Sequence, residues 1–170
     1  MLSSAPDKQM SSGLNKSMMK KVIVILGFLM SLSFFSSAQN VEEIDGIYYK
    51  NSQRYTGTYV TNFDNGHVRQ EIKIKNGEKH GKVRIYFENG QLNEIRSYKH
   101  NQMDGKWTMY NDHGIKTSIA RYRNGEKNGK WLIWNDYGHL LYELQYDMGK
   151  KTGVWKKYDE QGNLINKREY

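Results

Sequence analysis

The sequence predicts an all-β fold: a single-layer antiparallel β-meander of five tandem 24-residue hairpin repeats, preceded by an N-terminal signal peptide. Three observations predict it. First, glycine falls on a lattice. Gly57, Gly81, Gly105, Gly129 and Gly153 stand 24 residues apart; Gly66, Gly90, Gly114, Gly138 and Gly162 keep that step nine residues later; Gly77, Gly125 and Gly149 keep it again, with Asn101 in the missing place. Asn is the next best residue for a left-handed backbone. Second, the aromatic residues occupy fixed places on this lattice, and the apolar runs between glycines are too short for helices. Third, Asn76-Gly77 and Asn124-Gly125 are hairpin dipeptides, because a type I′ turn needs positive φ at both central residues. A period between 20 and 50 residues marks a repeat architecture, and such proteins usually bind rather than catalyse.

The elements follow in chain order. Lys20-Lys21, the apolar run from Val22 to Phe35 and the small-residue exit Ser36-Ser37-Ala38 form a secretory signal, with cleavage expected between Ala38 and Gln39. An uncleaved anchor is the alternative, although the run is short of the roughly 20 residues of a comfortable span. The polar stretch from Met1 to Ser17 is long for the front of a signal, so Met18 and Met19 are alternative starts. The expected destination is across the inner membrane, periplasmic or secreted. Residues 39–56 are a lead-in, and the repeats occupy 57–80, 81–104, 105–128, 129–152 and 153–170.

Each unit reads as a glycine, a short aromatic strand, an acidic-x-Gly turn, a second strand ending in Tyr, and an Asn-Gly-like turn. Two residues after the first glycine stand Tyr59, Val83, Trp107, Trp131 and Trp155; five after it stand Asn62, Tyr86, Tyr110, Trp134 and Tyr158; seventeen after it stand Ile74, Tyr98, Tyr122, Tyr146 and Tyr170. Asp64-Asn65-Gly66 and Glu88-Asn89-Gly90 read as turns of the Asn-Gly type at the other edge. Leu140, Tyr142, Leu144 and Tyr146 alternate with period two and are expected on one face. Two turns per unit give about ten strands. The rings two and five residues after the glycine have opposite parity, so either both faces carry rings or a bulge re-aims one.

Composition narrows the function. There is no cysteine, hence no disulfide and no acylated lipobox cysteine. The net charge of +8 falls to +5 once the four lysines and one aspartate of residues 1–38 are set aside. This mild excess suits an anionic surface and does not imply nucleic acid. The five histidines (His67, His80, His100, His113, His139) lack metal-ligand spacing, and Ser97 and Ser118 lack a nucleophile elbow. No catalytic residue, cofactor or metal is expected.

Segments such as Tyr122 to Trp131 and Tyr98 to Trp107 resemble MORN repeats, in the bacterial variant reading Gly-x-Trp-x-x-Tyr, Asn-Gly-x-Leu and Tyr-x-Asn-Gly-Lys-x-x-Gly. The resemblance covers about residues 57–170, and the first unit departs most, with Tyr59 for Trp and Asn62 for Tyr. It implies an interaction scaffold. Some relatives are lipid-associated, and many bacterial ones are described as antitoxin components.

Three binding readings stand open: a protein-interaction module, an antitoxin or immunity-type protein neutralising a toxin, and attachment to an anionic membrane or envelope surface. The candidate residues are the aromatics Trp107, Tyr110, Trp131, Trp134, Trp155, Tyr158, Tyr98, Tyr122 and Tyr146, as interaction surface or as core. An acidic turn edge carries Asp64, Glu88, Asp112, Asp136 and Glu160. The opposite edge is basic, with Lys75, Lys79, Lys82, Lys99, Lys106, Arg123, Lys127, Lys130, Lys150 and Lys151.

Overall fold

The two hairpin edges are built from different turns. At one edge the central pairs Asn76-Gly77, His100-Asn101, Asn124-Gly125 and Met148-Gly149 all have positive φ, from 42° to 85°, as type I′ turns require. Asn101, at φ 62°, fills the place of the missing glycine. At the other edge the Asn-Gly expectation is corrected. Only the glycine is left-handed in Asp64-Asn65-Gly66 and Glu88-Asn89-Gly90, so these are not type I′ turns. The Gly66 amide donates to the Phe63 carbonyl and the Phe63 amide to the His67 carbonyl, which closes a three-residue loop. The Asn65 side chain accepts the His67 amide, as Asn89 accepts that of Gln91, and this local bond holds the asparagine out of the left-handed region.

Residues 40–170 are described in this computed structural model; the signal segment, its cleavage position and the alternative starts lie outside the described residues. The described chain forms sixteen strands: β1 (Val41–Ile44), β2 (Ile47–Lys50), β3 (Gln53–Arg54), β4 (Gly57–Asn62), β5 (Val68–Lys75), β6 (Glu78–Tyr86), β7 (Leu92–Lys99), β8 (Gln102–Met103), β9 (Gly105–Tyr110), β10 (Lys116–Arg123), β11 (Glu126–Lys127), β12 (Gly129–Trp134), β13 (Leu140–Asp147), β14 (Lys150–Lys151), β15 (Val154–Tyr158) and β16 (Leu164–Glu169). Ten of them, from β4 to β16, run in sequence order across one antiparallel meander, and the short strands β8, β11 and β14 pair with β7, β10 and β13 across the type I′ turns.

The first glycine series is not a turn series. Gly81, Gly105 and Gly129 lie within β6 or open β9 and β12, where the chain kinks between the short strand after each turn and the longer strand of the next hairpin. At Gly129 φ is +83°, and an added Cβ would lie 3.2 Å from Cδ of Arg121 on the neighbouring strand. Gly57 departs from its series: it is not left-handed, and the ring of Tyr55 fills the space where its Cβ would stand.

A second irregularity recurs at the other end of every hairpin. The pairings Thr61 with Gln70 and Asn62 with Val68 skip Arg69, and the same skip falls at Asn93, Thr117, Leu141 and Ile165. These five bulges are 24 residues apart. They correct the expectation that Leu140 shares a face with Tyr142, Leu144 and Tyr146. Leu140 pairs with Trp134 and Tyr142 with Ile133, so the extra residue Leu141 puts Leu140 on the opposite face. They also answer the parity question. Trp131 and Trp134 sit on a strand without an insertion of its own, so both faces carry rings.

The lead-in is more than a connector. β1, β2 and β3 form a separate three-stranded sheet. Val41 and Tyr48 are buried in one cluster with Ile72, Ile74 and Val83, so a local second layer covers the first hairpins, where Ile74 and Val83 stand at ring positions. The Tyr48 amide donates to the Gly77 carbonyl at 2.8 Å and the Gly77 amide to the Tyr55 carbonyl at 2.7 Å. Burial, reinforced by the neighbouring Glu43 carboxylate, pushes the Tyr48 phenol above its usual range. The folded state therefore favours the neutral phenol. That contribution is complete below the unfolded-state value of about 10 and is lost as pH rises above it. Urea midpoints are expected to hold up to about pH 10 and fall above it, with a shallower fall in Tyr48→Phe; equal falls would remove Tyr48 as the cause.

Candidate functional site

Alternation along the strands and direct pairing across them put one row of rings on one face. Tyr59 pairs with Ile72, Gly81 with Tyr98, Trp107 with Ala120, Gly105 with Tyr122, Gly129 with Tyr146 and Trp131 with Leu144. From Tyr98 onward the row is unbroken: Tyr98, Trp107, Tyr122, Trp131, Tyr146, Trp155 and Tyr170 follow one another with centroids 4.8–6.2 Å apart and planes tilted by about 50–60°. Tyr146 is buried at 8% exposure, the tryptophans are half-buried and Tyr170 is exposed at 41%. These rings are core and surface at once, because among the described residues no strand lies over the row beyond the first hairpins.

Cations sit on the row. Lys127 Nζ lies 4.8 Å from the Trp131 ring centroid and 5.0 Å from that of Tyr146; Lys151 Nζ repeats this at 4.6 Å from Trp155 and 4.9 Å from Tyr170. Arg96, held at 2.6 Å by Glu94, lies 4.9 Å over Trp107. The Glu94 hydrogen bond keeps the guanidinium charged, above even its usual range. Burial pushes the Tyr122 phenol up, which favours its neutral form. The indole Nε1 of Trp131 donates to the Arg121 carbonyl and that of Trp155 to the Gln145 carbonyl, which locks both ring orientations; Trp107 Nε1 is buried without a partner.

The structure thus divides the candidate aromatics. Tyr98, Trp107, Tyr122, Trp131, Tyr146 and Trp155 come together in the row, whereas Tyr110, Trp134 and Tyr158 belong to the opposite face at the loop end of their strands. Tyr170 extends the row, and Lys127 and Lys151 serve it; their lattice spacing with Lys79, which lies 5.8 Å from the Tyr48 ring centroid, was the available signal. The basic edge divides in the same way, since Lys82, Lys106 and Lys130 fall on the other face. The acidic residues Asp64, Glu88, Asp112, Asp136 and Glu160 remain exposed at the loop edge. Ser97 Oγ is tied to the Lys106 carbonyl at 2.9 Å. Beside Trp155 and Tyr170, a shallow groove of about 230 Å³ is bounded by Leu144 and Arg168 among others. Flat rings flanked by cations can take apolar side chains, planar groups and carboxylates.

The meander is thus a single-layer β-repeat array with a ring-bearing face. A family model described as a MORN repeat variant matches residues 79–100 and 151–170, segments that begin three periods apart, and this supports the MORN-repeat family. No curated protein matches the chain.

Proposed function

We propose that the chain is a non-enzymatic, exported binding module that takes a protein partner on the ring row between Trp107 and Tyr170. One observation carries the reading: the row continues beyond the part of the sheet that β1–β3 cover, with Trp107, Trp131 and Trp155 only half-buried. Tyrosine, tryptophan and arginine are the residues that dominate protein–protein hot spots. A partner with apolar side chains flanked by carboxylates fits rings flanked by Lys127 and Lys151. An exported toxin is one partner of that kind, and an antitoxin or immunity role would show as growth rescue on co-expression. Capture by the full chain of a discrete envelope protein, lost in Lys127→Glu/Lys151→Glu, is the expected result. Capture undiminished by that pair, or retention of lipid alone, contradicts the proposal.

A further inference from the structure

On the face opposite the rings, direct cross-strand pairing gathers positive charge into a line. Thr58 pairs with Lys73, Lys82 with Ser97, Arg121 with Lys106, and Lys130 with Gln145. Ser97 Oγ bonds the Lys106 carbonyl and the Asn128 amide bonds the Arg121 carbonyl, so consecutive hairpins stay in step at this row. Lys73, Lys82, Lys106, Arg121 and Lys130 therefore occupy one row across β5, β6, β7, β9, β10 and β12, and all five are exposed. At about 4.8 Å per strand the row is about 24 Å long. The next row on the same face holds Ile95, Thr108, Ile119 and Leu132 in the later hairpins, which confines the charge to a single line there.

Four of the five cations lack a counter-charge of their own. Among the described residues, Lys130 is paired with Glu143 at 3.1 Å, and Lys73 reaches only the Thr58 hydroxyl at 2.7 Å. Lys82, Lys106 and Arg121 form no ion pair among the described residues, and Glu71 on the neighbouring row is engaged by Arg84. Lys106 and Arg121 stand directly opposite each other, an arrangement that destabilises a sheet. A ligand that supplies the missing anions offsets that cost.

We infer that this line is a second binding site, independent of the ring row, and that it takes a linear polyanion rather than a bilayer. A sheet twists by about 20–25° per strand, so a row crossing five strand steps turns through roughly 100°. A planar membrane meets few of these cations at once, whereas a flexible chain of repeating anionic groups follows the whole line.

Inorganic polyphosphate is the probe, with the full chain titrated over a range of salt. Four contacts by the unpaired cations at about 0.7 each give a log–log salt slope near −2.8, and Lys106→Gln/Arg121→Gln is expected to weaken binding about tenfold and bring the slope near −1.4. The same variant should melt no lower than the parent, because it removes a like-charge pair. Lys50→Gln/Lys116→Gln, which removes the same charge away from the line, should bind within twofold of the parent. No binding by the parent, equal losses in both variants, or vesicles of anionic phospholipid bound through the same two residues in preference to polyphosphate would each overturn the inference.

Discussion

Replacing Trp131 with alanine is expected to lower stability by about 3 kcal/mol. A fully buried Trp→Ala change costs about 3–5 kcal/mol, and Trp131 is half-buried, which places it at the lower end. Its ring touches Tyr122 and Tyr146 at centroid distances of 5.3 Å each and carries Lys127 at 4.8 Å, and its Nε1 bonds the Arg121 carbonyl at 3.0 Å. The position also lies mid-array. A repeat protein holds together by nearest-neighbour interfaces, so a weak central unit uncouples the hairpins on either side. The melting transition should fall by roughly 10 °C and broaden. Trp131→Phe, which keeps a ring and loses the hydrogen bond, should show a much smaller fall.

Gly77→Ala is expected to match that loss by another route. At φ +81° an alanine is strained by about 1–2 kcal/mol. Its Cβ would also lie 2.8 Å from Cγ2 of Ile47 and 3.2 Å from the Tyr48 carbonyl oxygen. The second contact is with backbone, so relief requires β2 to shift and strains two of the hydrogen bonds that seat the lead-in on the meander, Tyr48 N–H to Gly77 and Gly77 N–H to Tyr55. About 3 kcal/mol is expected, with faster amide exchange in residues 41–50. Gly125→Ala separates the two causes: φ is +85° there, but no atom lies within 4 Å of the added Cβ, so the strain alone of about 1 kcal/mol remains.

Much of this was legible in the residues, and the reason is physical. Turn glycines and ring positions are local requirements, so their period reports the hairpin directly, and Asn101 could be read as a left-handed residue without coordinates. What escaped reading depends on register. The bulge residues Arg69, Asn93, Thr117, Leu141 and Ile165 share a lattice position but no residue type, because an unpaired bulge residue has no chemistry to conserve along the chain. Their effect is large all the same, since one extra residue turns Leu140 to the other face. The lysines near the type I′ turns look like one basic edge in the sequence. Alternation sends Lys127 and Lys151 to the rings and Lys82, Lys106 and Lys130 to the opposite side. The lead-in was illegible because Tyr48 finds its burial through contacts with Ile72, Ile74 and Val83, more than 20 residues away.

The measurement that bears most directly on the ring face as a protein-binding surface is the affinity of the captured envelope protein for two paired variants. Lys127→Glu/Lys151→Glu alters the ring face, and Lys82→Glu/Lys106→Glu makes the same charge change on the other side. The ring-face pair should lose at least about tenfold in affinity, or about 1.4 kcal/mol, while the opposite pair stays within about twofold of the parent. Equal losses in the two pairs, or a loss confined to the second, would contradict binding through the rings.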